Sequence, residues 1–204
     1  MARYGWRTPI VLACVTWNRS ELFQQIRRWR LSLTTRGKKG SRIKVGSNIS
    51  VTPGCWLAIG ADVVLEGDAK LVIGLNPPGR VVLAAGTWIS RGLHLCCCRN
   101  IDIGENVLVG EYVSLRDSTH RYENSDLPIN AQGDVYGSIR IEDGAWIGRG
   151  VLIQGKPEGT VIGKGSIIGA NSVVVKSIPA MEIWGGVPAR FIRKRITSEL
   201  PRSI

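Results

Sequence analysis

Apolar residues recur along this chain with a period of six from about residue 43 to about residue 178. Ile103, Val109 and Leu115 stand six apart, and Ile101, Val107 and Val113 precede each of them by two. Ile141, Ile147 and Ile153 repeat the spacing, followed by Ile162, Ile168 and Val174. Upstream the rule continues through Val45, Val51 and Leu57, then Leu65 and Leu71, then Leu83, Ile89 and Leu95, with two-residue slips between runs. A period of six belongs neither to an amphipathic helix nor to a plain half-buried strand. An inward side chain at every sixth position, with a small or branched one two before it, describes a short flat strand that turns a corner after each hexad. Three such strands close one triangular coil. Gly104, Gly110, Gly148, Gly163 and Gly169 each follow an inward residue, a corner slot where a side chain would crowd the turn.

Two interruptions break the period: the polar stretch 116–138, and Gly155 to Gly159, which lengthens one hexad by three residues. In a solenoid such insertions become loops on one face, often the working one. Before the repeat, Leu22, Phe23, Ile26, Trp29 and Leu33 fall at helical spacing, with Asn18 placed as an N-cap and Glu21 as its partner. The chain therefore divides into a basic N-terminal segment, 1–42, with an amphipathic helix; a coiled body, 43–178, with a loop at about 116–138; and a basic tail, 179–204.

Charge is distributed unevenly. The 204 residues carry a net charge of +11. Residues 1–44 hold eleven Lys and Arg against Glu21 alone, and residues 176–204 hold six basic against two acidic, whereas the body between them holds ten basic against thirteen acidic. Arg27, Arg28 and Arg30 on the polar face of the predicted helix suit an anionic lipid surface, or equally a solvated face. A peripheral membrane contact through residues 18–44 is thus an open expectation. Nucleic-acid binding is disfavoured, since the basic charge avoids the repeat and no stacking aromatics are interleaved with it. Five cysteines, three of them contiguous at Cys96, Cys97 and Cys98, do not form a disulfide framework and suggest a reducing, cytoplasmic compartment. The cysteine run reads as small core and corner residues. The apolar stretch Pro9 to Trp17 is too short to span a bilayer.

The final third carries a specific series: Ala145-Trp146-Ile147-Gly148, Val161-Ile162-Gly163, Ile168-Gly169-Ala170-Asn171-Ser172-Val173-Val174, Ile178-Pro179 and Gly186-Val187-Pro188-Ala189-Arg190. It resembles the hexapeptide-repeat acyltransferases, in particular the galactoside, maltose and polysaccharide O-acetyltransferase branch, over most of residues 43–195. That resemblance implies an all-β fold, a left-handed parallel β-helix of hexapeptide repeats, assembled as a homotrimer with acetyl-CoA, as acyl donor, in the groove between subunits. It also implies transfer to a sugar or saccharide of a capsule, O-antigen or exopolysaccharide pathway, with no metal.

The same resemblance places the catalytic base at His120, which closes the segment Val113 to His120. A neutral imidazole titrating near neutrality removes a hydroxyl proton without strong tuning. Asp117 is expected to orient that ring, as a backbone carbonyl equally could. The backbone N–H of Arg149 is the expected oxyanion donor. Backbone near Gly148 and Ala170 is expected to hold the donor, with Lys176, Arg190 and Arg193 near its phosphates. Arg190 to Arg195 could also be a solvated tail. Trp146 takes an aromatic slot beside the acceptor or pantetheine channel, or else simply packs at a corner. The chain departs from the family in the long Gln154 to Val161 loop, in Val175 and Ser177, and in having no counterpart of the acceptor-binding Asn and Asp around Ser90 and Cys98. Acceptor identity does not carry over. N-acetylation of an amino sugar uses the same base and groove, and a non-catalytic scaffold docked at a membrane is the alternative of another class. A zinc carbonic anhydrase needs three histidines, and the chain has His94 and His120 only.

Overall fold

The computed structural model describes residues 10–12, 43–52, 56–74 and 78–195. The helix expected between Asn18 and Leu33, with Cys14 and Cys55, lies outside them.

The body winds as a parallel β-solenoid whose coils are built from three stacked sheets. Sheet B stacks Lys44–Val45, Val64–Leu65, Trp88–Ile89, Leu108–Val109, Trp146–Ile147 and Ile167–Ile168. Sheet C stacks Ser50–Val51, Lys70–Ile73, His94–Cys97, Ser114–Arg116, Leu152–Gln154 and Val173–Val174. Sheet A stacks Trp56–Ile59, Arg80–Leu83, Asn100–Ile103, Ser138–Ile141 and Thr160–Ile162. The chain visits B, C and A in turn. Ile10–Leu12 pairs antiparallel with Trp56–Ile59 at one end of sheet A. At the other end of sheet B, Glu182–Gly185 continues the parallel ladder and turns back into the antiparallel Arg190–Lys194.

The hexad register is the core. Leu65, Ile89, Val109, Ile147 and Ile168 line the inside of sheet B, and Leu71, Leu95, Leu115, Ile153 and Val174 that of sheet C, all buried. Removing each such side chain from water contributes about 1.5–3 kcal/mol. Where the slot two residues earlier is polar, the hydroxyl is bonded: Thr87 donates to the Gly104 carbonyl at 2.7 Å and Ser166 to that of Gly163 at 2.7 Å. Only the first coil departs from the predicted register. Ile59, not Leu57, aligns with Leu83, and Val45 is 41% exposed in the first described strand of its sheet.

The glycines after inward residues are required for a different reason from backbone strain. A Cβ on Gly110 would lie 2.7 Å from the Arg149 amide of the next coil, and one on Gly148 2.7 Å from that of Ala170. The left-handed turn sits two residues later, at Asn106, Tyr112, Gly150 or Asn171. Close stacking of corners, with bonds such as Gly148 N–H donating to the Ile168 carbonyl at 2.9 Å, leaves no room for a side chain.

The two interruptions meet at one corner. Between sheets C and A the chain leaves as a hairpin, Ser118–His120 against Asp134–Tyr136, and returns in register so that Ile141 aligns with Ile103. The stretched segment after Gln154 lies beneath its root, where Gly155 N–H donates to Arg116 at 2.7 Å and Ser138 N–H to Lys156 at 3.2 Å. The Gln154 amide also donates to the Ser118 carbonyl at 3.3 Å.

Candidate active site

His120 stands directly opposite Asp134 in the hairpin, and its Nδ1 lies 2.7 Å from Asp134 Oδ1. With Nδ1–H donating to this carboxylate, Nε2 carries the free lone pair. The ring is 70% exposed, so Nε2 is open to an incoming hydroxyl. Tyr136 donates from its hydroxyl to Asp134 Oδ2 at 3.5 Å, the outer edge of such a contact. Burial, then the charge of Asp134, pushes the Tyr136 phenol up, which keeps it a donor. The tip of the loop is held by its own polar groups. The Gln132 amide donates to the carbonyls of Asn124 and Leu127 at 2.8 and 3.0 Å, and accepts from Asn124 N–H at 3.0 Å.

Asp117, expected to orient His120, does something else. It is fully buried at the hairpin root, where Oδ1 accepts from Cys98 N–H and Oδ2 from Arg99 N–H, each at 2.7 Å. Both oxygens are committed to the corner, and the carboxylate that meets the imidazole is Asp134. Burial raises the Asp117 carboxyl while the two amides pull it down. Cys97 is buried in line with Ile73, and burial together with Asp117 pushes its thiol far above the usual range, so it is no nucleophile. Cys98 reaches the Ser118 hydroxyl at 3.5 Å, and burial raises its thiol as well.

The residues expected to hold the donor fall in two groups. Gly148, Arg149 and Ala170 stack at the corner between sheets B and C, where Asn171 N–H donates to Arg149 at 2.8 Å and the Arg149 guanidinium lies 5.8 Å from the Tyr112 ring. Lys176 lies over the Trp184 ring at 5.0 Å, beside the returning strand that carries Arg190 and Arg193, both exposed. Trp146 is 51% exposed on the outer face of sheet B, where Trp88, Leu108 and Trp146 border one open groove. His120 and the Gly148 corner therefore bound opposite edges of sheet C, and one chain does not join them. Among the described residues no cluster of three or more His, Cys, Asp or Glu could hold a metal. No helix among them is long and apolar enough to cross a membrane.

Asp134 and Tyr136 were not legible as site residues, because their place depends on hairpin register across a 13-residue loop. The stretch between the two strands carries no hydrophobic period that would have marked the pairing.

No protein-family model matches the chain. A probable acetyltransferase of Mycobacterium tuberculosis is 31% identical over 74% of this chain and 48% of its own length, so the chain spans about half of that relative. An Escherichia coli protein named for colanic acid biosynthesis acetyltransferase activity is 28% identical over 69% of this chain and 71% of its own. The crystal structure of a hexapeptide-repeat acetyltransferase from Vibrio cholerae superposes with a TM-score of 0.50 at 25% identity, over 75% of this chain and 74% of that one. That protein has also been solved with acetyl coenzyme A, with a TM-score of 0.53 at 22% identity, covering 84% of this chain and 78% of that one. With its three-sheet solenoid, its stacked glycine corners and these relatives, the chain has the fold of the hexapeptide-repeat acetyltransferases and is similar in sequence to named acetyltransferases.

Proposed function

We propose that this chain transfers an acetyl group from acetyl-CoA to a hydroxyl of a saccharide, by direct attack with His120 as general base. The observation that carries the reading is the 2.7 Å contact between His120 Nδ1 and Asp134, which presents Nε2 as a base on an exposed loop of an acyltransferase fold. The acceptor oxygen attacks the thioester carbonyl carbon while its proton passes to Nε2. The oxyanion is met by the backbone N–H of Arg149, and collapse of the intermediate expels the CoA thiolate, which regains the proton from the imidazolium. Asp134 holds the ring and stabilises the imidazolium; Asp117 clamps the corner beneath. Gly148 and Ala170 offer backbone to the pantetheine arm, Trp146 its ring, and Lys176, Arg190 and Arg193 their charge to the phosphates. The colanic acid relative supports a saccharide acceptor, and a polymeric or lipid-linked one suits a cytoplasmic enzyme docked at the membrane through residues 18–44.

Because base and donor corner lie on opposite edges of sheet C, a complete site takes one edge from each of two neighbouring copies. The outer ladder of sheet B, with Trp88, Leu108 and Trp146 each about half exposed, is the apolar face we assign to that contact in a homotrimer.

Release of CoA thiol from acetyl-CoA across sugars, amino sugars and oligosaccharide fragments tests the proposal. Acceptor-dependent turnover that His120→Ala abolishes is the expected result. Failure to bind acetyl-CoA would leave a scaffold rather than an enzyme.

A further inference from the structure

The three outer faces of the solenoid differ in charge. Sheet B presents its apolar ladder. Sheet A presents Arg80 and Arg140 on either side of Asp102, which lies 3.6 Å from Arg80, so its cations face an acid. Sheet C presents cations without an acid. Its inward residues Leu71, Leu95 and Leu115 are buried, which turns Lys70, Val72, His94, Cys96, Ser114 and Arg116 outward. Lys70 pairs in register with His94, and Arg116 with Cys96 two positions along. The outward positions of these strands hold no Asp or Glu, and neither Lys70 nor Arg116 is in an ion pair among the described residues. The three groups sense one another: burial, then Lys70, then Arg116, holds the His94 imidazole below its ordinary value. Three mutually repelling cationic or cationisable side chains left unpaired on a sheet face cost stability unless an anion is to sit among them.

The direction of the strip decides which anion. Arg116 stands at the root of the hairpin, four residues before His120, and His94 and Lys70 follow on the coils that precede it. The groups assigned to the donor lie on the coils after it. We infer that the outer face of sheet C binds a phosphate- or pyrophosphate-bearing part of the acceptor, with Lys70, His94 and Arg116 as its cations. This rests on the acetyl-transfer reading and specifies its substrate class: a sugar carried on a phosphate ester, whose hydroxyl meets His120 while its phosphates run down sheet C. Arg116 offers a planar fork to one phosphate, and Lys70 a point charge to the other. His94, flanked by Lys70 on one neighbouring strand and by Ser114 and Arg116 on the other, takes up a proton as the anion arrives, so binding tightens as pH falls.

The chain has two histidines, so histidine-selective NMR of the full chain gives two ring signals, assigned with His94→Gln. Inorganic pyrophosphate is expected to move the His94 signal saturably and raise its titration midpoint, with His120 little changed. Lys70→Gln and Arg116→Gln should each weaken binding roughly tenfold, as loss of a charge-assisted contact does. An unmoved His94 signal at about 10 mM pyrophosphate, or equal binding by the double variant, overturns the inference, the variants' folding being checked by their melting curves. Acetyl-CoA producing the same His94 shift, and displacing pyrophosphate, would assign the strip to the donor and also overturn it. UDP-glucose and an isoprenyl-pyrophosphate-linked glucose in detergent separate a soluble nucleotide carrier from a lipid one. None of these readouts depends on turnover, so failure of the acetyl-transfer reading would appear in the thiol assay and not here.

Discussion

The coiled body and the hairpin at residues 118–136 are built on opposite terms. In the body, inward slots are filled by Ile, Leu and Val buried coil after coil, and polar groups are paired across backbone. In the hairpin no residue is buried, and Leu127, Ile129 and Tyr122 are all about half exposed or more. It is held by a two-stranded ladder and the Gln132 bonds. Ile103 and Ile141 still align in register although 38 residues separate them. A solenoid tolerates such an insertion because each coil needs only its neighbours, so stability resides in the ladder while the proposed chemistry is hung from a corner. Asp117 is where the two regimes meet, a buried carboxylate that ties the root of the exposed loop to the preceding coil.

The sharpest way to break the contrast is to cut the ladder. Ile147→Ala should cost about 2–5 kcal/mol in chemical denaturation, since the cavity lies between rigid coils. A comparable truncation in the loop, Leu127→Ala, should change little. Asp117→Ala should follow at roughly 2–4 kcal/mol, because two corner amides lose their acceptor. A loss of turnover with no loss of stability would instead make Asp117 part of the chemistry. Asp134→Ala is expected to lower kcat roughly 10- to 100-fold through loss of ring orientation. Its melting curve should be unchanged, and the pH profile of kcat should move, which a purely structural residue would not cause.

The smallest effect concerns a flaw in the body. Asp102 Oδ1 is buried without a hydrogen bond, and burial raises its carboxyl against the pull of Arg80 and Arg140. A carboxyl raised in the fold stabilises fully below its unfolded value, and that contribution is lost as pH rises through the folded value. Asp102→Asn should therefore be neutral or more stable than wild type at pH 7.5, by well under ~1 kcal/mol given partial exposure. The difference should shrink toward zero in acid as the wild-type carboxyl takes up its proton, read by denaturant unfolding at neutral and acid pH.

The body was legible because a period of six is a direct image of its geometry: each predicted inward residue from Leu65 to Val174 is buried. Register failed at Leu57, which pairs with Val81, while Ile59, six residues before Leu65, takes the position in line with Leu83. The corner glycines were legible as crowded positions, although the crowding comes from the next coil and the turn itself lies two residues on. In the hairpin no period exists to read. His120 could be found through the motif that ends on it, whereas Asp134 became its partner through cross-strand pairing, a long-range relation that a polar loop leaves unmarked. Asp117, three residues from His120 in sequence, turns the other way because its neighbours Cys98 and Arg99 belong to the coil below.

The most direct test of a body that binds and a loop that reacts is His120→Ala, with acetyl-CoA binding, melting temperature and turnover measured on one preparation. The account predicts wild-type melting, acetyl-CoA affinity within about twofold, and turnover lower by about 10²- to 10⁴-fold. Turnover within about threefold of wild type in the folded variant would contradict it.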